Sequence, residues 1–153
     1  MKLPILIVFI FLFANVRAFY TRCSHTNAPG PDHIVSPNCN SERCFGVRGD
    51  VVNADIWATP LGAHTELRTR ITAFILGIGV PLPVDPPFDD ACNMIFLDGQ
   101  LTTCPTIPNR QYMLQVEIPI LHAYPPFSNA IVRVEFFDRG QLAACGEVLA
   151  DII

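Results

Sequence analysis

The sequence predicts an all-β domain, a sandwich or a small barrel, and three observations carry that reading. Past residue 18, no segment holds apolar residues at i, i+3, i+4 and i+7 over three turns without a proline. Runs rich in β-branched and aromatic residues recur instead, with the alternation of a half-buried strand. Turn formers separate the runs: Pro29-Gly30-Pro31, Gly46 and Gly49, Pro60-Leu61-Gly62, Asp98-Gly99, Pro125-Pro126 and Arg139-Gly140. Short strands divided in this way bury their apolar faces by stacking as two sheets or closing as a barrel.

The first stretch of the chain stands apart from that pattern. Met1–Ala18 carries Lys2, an almost unbroken apolar run from Leu3 to Ala14, and the small-residue ending Val16-Arg17-Ala18. It reads as a secretory signal peptide cleaved after Ala18. The run is too short to cross a bilayer, which needs about 20 apolar residues. Residues 19–153 contain no repeat, low-complexity tract or linker and read as one domain.

Within that domain, Val51–Ala58 sets Val52, Ala54, Ile56 and Ala58 against Val51, Asn53, Asp55 and Trp57. Leu67–Ile78 is β-rich, with glycines at 77 and 79 interrupting it. Gly79–Phe88 holds four prolines between positions 81 and 87, each of which removes a ladder donor, so it is expected as an extended edge segment. Such a stiff apolar rim is also a good wall for a pocket. Gln111–Leu121 contributes Tyr112, Leu114, Val116 and Ile118. Ala130–Phe137 places Val132, Val134 and Phe136 on one face and Arg133 and Glu135 on the other. Leu142–Ile153 is the last run. Val52, Ile56, Val132, Val134 and Phe136 are the inward candidates, and that apolar set suits a dry core as well as a ligand cavity.

Composition narrows the partners. Half of the residues are hydrophobic and only 16% are charged, which excludes a disordered chain. Loss of Lys2 and Arg17 with the signal takes the net charge from −4 to −6, leaving eight arginines and no lysine against 14 acidic residues. No stretch gathers basic residues, so nucleic acid is not an expected partner, and anionic membranes are disfavoured by the same sign.

All six cysteines, Cys23, Cys39, Cys44, Cys92, Cys104 and Cys145, lie beyond the signal, and an even count there implies a disulfide framework. Six cysteines admit fifteen pairings, and sequence alone does not choose among them. Local geometry favours Cys39–Cys44 around a tight loop. Cys92–Cys104 would close a medium loop containing Asp98-Gly99, leaving Cys23–Cys145 to join the two ends of the domain. The spacings lack the paired CxxC knuckles and HxxxH partner of a zinc site, so no metal is expected.

A catalytic signature is absent too. The sequence has no GxSxG elbow, no HExxH, no phosphate-cradling glycine loop and no cysteine left over as a nucleophile, so neither enzyme activity nor a cofactor is expected. His25, His33, His64 and His122 stand beside turns or polar residues and read as surface residues. Asp85, Asp89 and Asp90 read as the solvated face of the proline-rich loop.

The order Cys23 … Ser36-Pro37-x-Cys39-x4-Cys44 … Gly49, then Gly79-Val80-Pro81-Leu82-Pro83 … Cys92 … Cys104-Pro105, then Tyr112, Ile118-Pro119-Ile120, Tyr124-Pro125 and Cys145 resembles the ML lipid-recognition domain family. The likeness is nearest to its soluble sterol-carrier branch and to arthropod members such as the mite group 2 allergens, and it spans residues 19–153. It implies an immunoglobulin-like β-sandwich of two antiparallel sheets with an apolar lipid pocket between them. It also implies the pairing Cys23–Cys145, Cys39–Cys44 and Cys92–Cys104.

Matching the family's pocket motifs assigns lipid-binding roles to Val84, Ile120 and Tyr124. Val84 stands where the sterol carriers have an aromatic residue, and Phe127-Ser128-Asn129 reads as a short insertion near the pocket mouth. The implied protein is secreted, extracellular or delivered onward to lysosomes. It holds a sterol or other apolar lipid and passes it to a membrane or receptor. The family's other occupation, innate-immune capture of microbial glycolipids, usually needs basic residues at the mouth, and this chain is acidic.

Overall fold

The computed structural model describes residues 20–153; the predicted signal peptide lies outside them. Eleven strands make up nearly all of the regular structure. In chain order they are β1 (Tyr20–Arg22), β2 (His33–Val35), β3 (Cys44–Gly46), β4 (Val51–Ala58), β5 (Arg68–Ile75), β6 (Ile78–Leu82), β7 (Ile95–Leu97), β8 (Gln100–Thr102), β9 (Tyr112–Pro119), β10 (Phe127–Asp138) and β11 (Gln141–Ile152). A single 3₁₀ turn, Ala91–Asn93, precedes β7. No helix among the described residues is long and apolar enough to cross a membrane.

The strands form two sheets packed as a sandwich. One runs β1-β11-β10-β5-β6 with β3 beside β11, and the other runs β2-β4-β9-β7-β8. Every pairing is antiparallel except β3 with β11. Register stacks apolar residues on one face of each sheet. Val52 lies opposite Ile118, Ala54 opposite Val116, and Ile56 opposite Leu114 across β4 and β9. In the other sheet Val132 lies opposite both Ala73 and Val148, and Val134 opposite both Ile71 and Gly146.

Two sequence expectations change in detail. Leu67–Ile78 is not one strand: Leu76 and Gly77 form a two-residue turn, with φ of 51° and 81°, that folds β6 back on β5. Both central residues are left-handed, which is the type I′ geometry matched to strand twist. The same geometry recurs at Asp98-Gly99 and Arg139-Gly140, which were legible as turns. Phe127-Ser128-Asn129, expected ahead of the strand at Ala130–Phe137, is part of it. It opens β10, and the register against β11 slips between Phe127 and Ala130, with Asn129 at φ 58°.

The proline-rich segment begins as the outermost strand, with Pro81 opposite Thr72, so its missing N–H leaves no central ladder bond unmade. The three disulfides are Cys23–Cys145, Cys39–Cys44 and Cys92–Cys104.

The outer face of the larger sheet is held by charge and aromatic stacking. Arg70 bonds the buried Glu135 at 2.9 Å and lies 4.4 Å over the Phe137 ring; Arg133 bonds Glu147 at 2.7 Å and lies 4.4 Å over Phe74. Buried Ala91, Met94, Ile95, Tyr112 and Leu114 form a packed core at one end of the sandwich. Asp90 serves that end. Its carboxylate accepts from the backbone N–H groups of Cys92 and Leu67, so it caps the 3₁₀ turn rather than forming part of a solvated loop face.

Candidate functional site: an apolar cavity between the sheets

Against that core, whose five residues help to line it, the sheets enclose a cavity of about 440 Å³. Ile71, Ala73, Val132, Val134 and Phe136 wall it from one sheet, and Ile34, Val52, Ile56, Val116 and Ile118 from the other. Val52, Ile56, Val132, Val134 and Phe136 all point between the sheets, yet none is fully buried. In a dry sandwich these side chains would interdigitate and lose their surface. Among the described residues, the largest side chains with less than 2% exposure are Cys23 and Cys145. Alternation in sequence could not separate a filled core from a lined cavity; the open volume between the sheets does.

All eight residues singled out from sequence line this one space: Val52, Ile56, Val84, Ile120, Tyr124, Val132, Val134 and Phe136. Ile34, Ile71 and Ile152 line it as well and were missed, while Leu82 and Phe127 come from segments expected at its wall and its mouth. Ile34 sits in a short strand where no alternation could develop. Ile120 is more deeply set than a mouth position. It is 6% exposed, and its backbone is fixed by bonds to Asp50 and Gly49. A Cβ on Gly46 would come within 2.6 Å of Ile152 and 3.0 Å of Ile120, so glycine lets β3 close over those two side chains.

The rim is formed where exposed Val80, Asp85, Leu121 and Pro125 meet the cavity. Tyr124 is half-buried there, held by a backbone bond to Leu121. Burial raises its phenol pKa, and the nearby Asp85 carboxylate raises it further. No hydrogen bond among the described residues engages the Tyr124 hydroxyl.

Charged groups in the lining are few. They are Asp85, Glu117 and His64, with no arginine or lysine. Val116 and Ile118 face inward, so Glu117 alternates outward and is exposed. His64 is not the surface residue expected. Its Nδ1 lies 3.2 Å from the Asp138 carboxylate, and its backbone exchanges bonds with Thr106. Burial opposes charge on Asp138, but the bonds from His64, the Glu66 N–H and Thr65, with Arg139 nearby, hold its pKa below the usual carboxylate range.

The groups of His, Cys and carboxylate close enough to share a metal all include Cys23 or Cys145, whose sulfurs are committed to a disulfide. The lining therefore offers apolar surface with a few polar atoms at its rim, the chemistry of a site that shelters an apolar molecule.

Comparison with known proteins agrees with this architecture. The family model described as the ML domain matches residues 19–152. No curated protein matches the sequence. Among solved structures, the fold is similar to a Niemann-Pick type C2 protein from the Japanese carpenter ant, with TM-score 0.71 and 18% identity over 88% of this chain and 98% of that one. It is also similar to chicken MD-1 in complex with lipid IVa, with TM-score 0.51 and 11% identity over 85% of each chain.

Proposed function

The chain belongs to the ML domain family, and from that premise we propose that it is a secreted carrier that shelters a sterol or other apolar lipid between its sheets. The carrying observation is the 440 Å³ cavity whose inward side chains remain only partly buried. Val84, Ile120, Tyr124, Val52, Ile56, Val132, Val134 and Phe136 supply its contacts in this reading. Covering several hundred Å² of ligand apolar surface is worth several kcal/mol at about 25 cal/mol per Å², before association costs. The role is binding rather than catalysis.

Secretion is supported by the signal-like Met1–Ala18 and by three disulfides, which persist in oxidising compartments. Capture of phosphate-bearing glycolipids is disfavoured, because neither arginine nor lysine lines the cavity. Delivery requires contact with a membrane or receptor. The β5–β6 turn supports the former: Leu76 is 97% exposed and Ile78 69% exposed, while Ile75 and Val80 on either side line the cavity.

Lipid extraction of the purified protein, followed by mass spectrometry, is the direct test; an apolar lipid at near-stoichiometric yield is expected. A second test separates a cavity from a filled core. Val132→Trp places a large ring in the open space, so it should leave the melting temperature unchanged or higher and weaken binding of a fluorescent sterol at least about tenfold. In a filled core the same change overpacks and destabilises by about 1–3 kcal/mol.

A further inference from the structure

Asp85 is the acidic group that the cavity's rim presents, since Glu117 alternates outward. Asp85 follows β6 and Tyr124 follows β9, so the two sides of the mouth each contribute one polar group. The Asp85 carboxylate is exposed, with no ion pair among the described residues, and it lines the same cavity as Tyr124, whose phenol pKa its charge helps to raise. The Tyr124 hydroxyl is half-buried and unengaged, although a phenol in such a position usually finds a partner.

Every other polar group of the lining that could greet a ligand is already occupied or faces away. His64 is committed to Asp138, the Thr106 hydroxyl donates to Gly62, and Glu117 alternates outward. The Thr69 hydroxyl has no partner, but its oxygen has essentially no accessible surface, so only the rest of the side chain meets the cavity. Arg43, beside the lining residue Cys44, is held by Asp151 and Asn129.

We propose that Asp85 and Tyr124 form a polar clamp at the mouth that selects lipids whose polar end donates hydrogen bonds, a hydroxyl or a protonated amine, and rejects those ending in a carboxylate or phosphate. The proposal rests on the carrier reading and names the ligand class within it. An apolar tail fills the cavity and its polar end stays at the rim, where it remains partly hydrated. A hydroxyl donates to the Asp85 carboxylate and accepts from Tyr124. An ammonium gains the Asp85 charge in addition. A carboxylate meets a like charge and finds a single donor, the phenol.

The test uses the full, disulfide-bonded protein and three ligands sharing one twelve-carbon chain: dodecylamine, dodecanol and laurate. Each displaces the neutral fluorophore N-phenyl-1-naphthylamine at neutral pH and physiological salt. The expected order is dodecylamine, then dodecanol, then laurate, with amine and carboxylate separated by about tenfold or more, the scale of one close charge contact near a protein surface. Asp85→Asn should bring amine and laurate within about threefold of each other, and Tyr124→Phe should weaken dodecanol by a larger factor than it weakens the fluorophore.

The molecule's overall negative charge also attracts amines, but Asp85→Asn removes only one of many charges, so a collapse of the preference isolates the mouth. Laurate binding as tightly as dodecylamine to the unaltered protein overturns the clamp, as does an amine preference that survives Asp85→Asn. A folded protein that binds neither the fluorophore nor any of the three ligands overturns the carrier reading with it.

Discussion

Asp151 shows how a single side chain ties distant segments of the sandwich together. It is nearly buried, accepts from the Asn129 N–H at 2.7 Å, and receives the Arg43 guanidinium at 2.9 Å, tying the segment before β3 to the bulge that opens β10. The Asn129 bond, then Arg43, hold its pKa below the usual carboxylate value despite burial. A carboxylate with a lowered folded pKa binds fewer protons folded than unfolded. Its stabilisation is therefore present above the unfolded value and lost as pH falls through the folded one. Asp138 shifts in the same direction and adds to the effect. Asp151→Asn keeps an acceptor for Asn129 but loses the charge facing Arg43. It should lower the melting temperature at pH 7, and its gap from the unaltered protein should close as pH falls below about 4. A gap of equal size at pH 7 and pH 2 would mean that the charge contributes nothing.

Among the elements, the β5–β6 hairpin carries a conflict between stability and use. Its turn puts Leu76, rather than Asn, Asp or Gly, at a left-handed position, and leaves the side chain 97% exposed. A left-handed conformation costs a typical residue on the order of 1–2 kcal/mol, and asparagine tolerates it better. Leu76→Asn should then stabilise the fold by about 1 kcal/mol, while slowing lipid transfer to neutral phosphatidylcholine vesicles if this tip touches the membrane. Unchanged transfer would move membrane contact elsewhere.

The same hairpin shows what was legible in sequence at this scale. Of the strands of eight or more residues, β4, β9 and β10 announced themselves by alternation, β11 was legible as the last run, and β5 only as part of a longer one. Leu76 lacks turn character, so the run through it read as continuous strand. The three-residue strands β1, β2, β3, β7 and β8 are too short to show any period, and partners across the sheet define them.

For the whole molecule, the decisive quantity is the space between sheets, which no residue carries alone. The apolar faces of β4, β9 and β10 were readable, as were the lining positions that a family likeness assigned. The separation of those faces was not, because identical residues would line a cavity or fill a core. Size makes the separation consequential. A cavity of about 440 Å³ leaves its apolar lining without packing partners until something fills it. An occupant should therefore act as part of the structure. Protein stripped of lipid should melt at a lower temperature than protein as purified, and adding back the extracted lipid at a hundred times its dissociation constant should restore about 2.7 kcal/mol. The shift should be insensitive to salt for an uncharged lipid, since apolar burial rather than charge supplies it. Identical melting temperatures with and without lipid would leave the cavity without an occupant and the carrier reading without its main support.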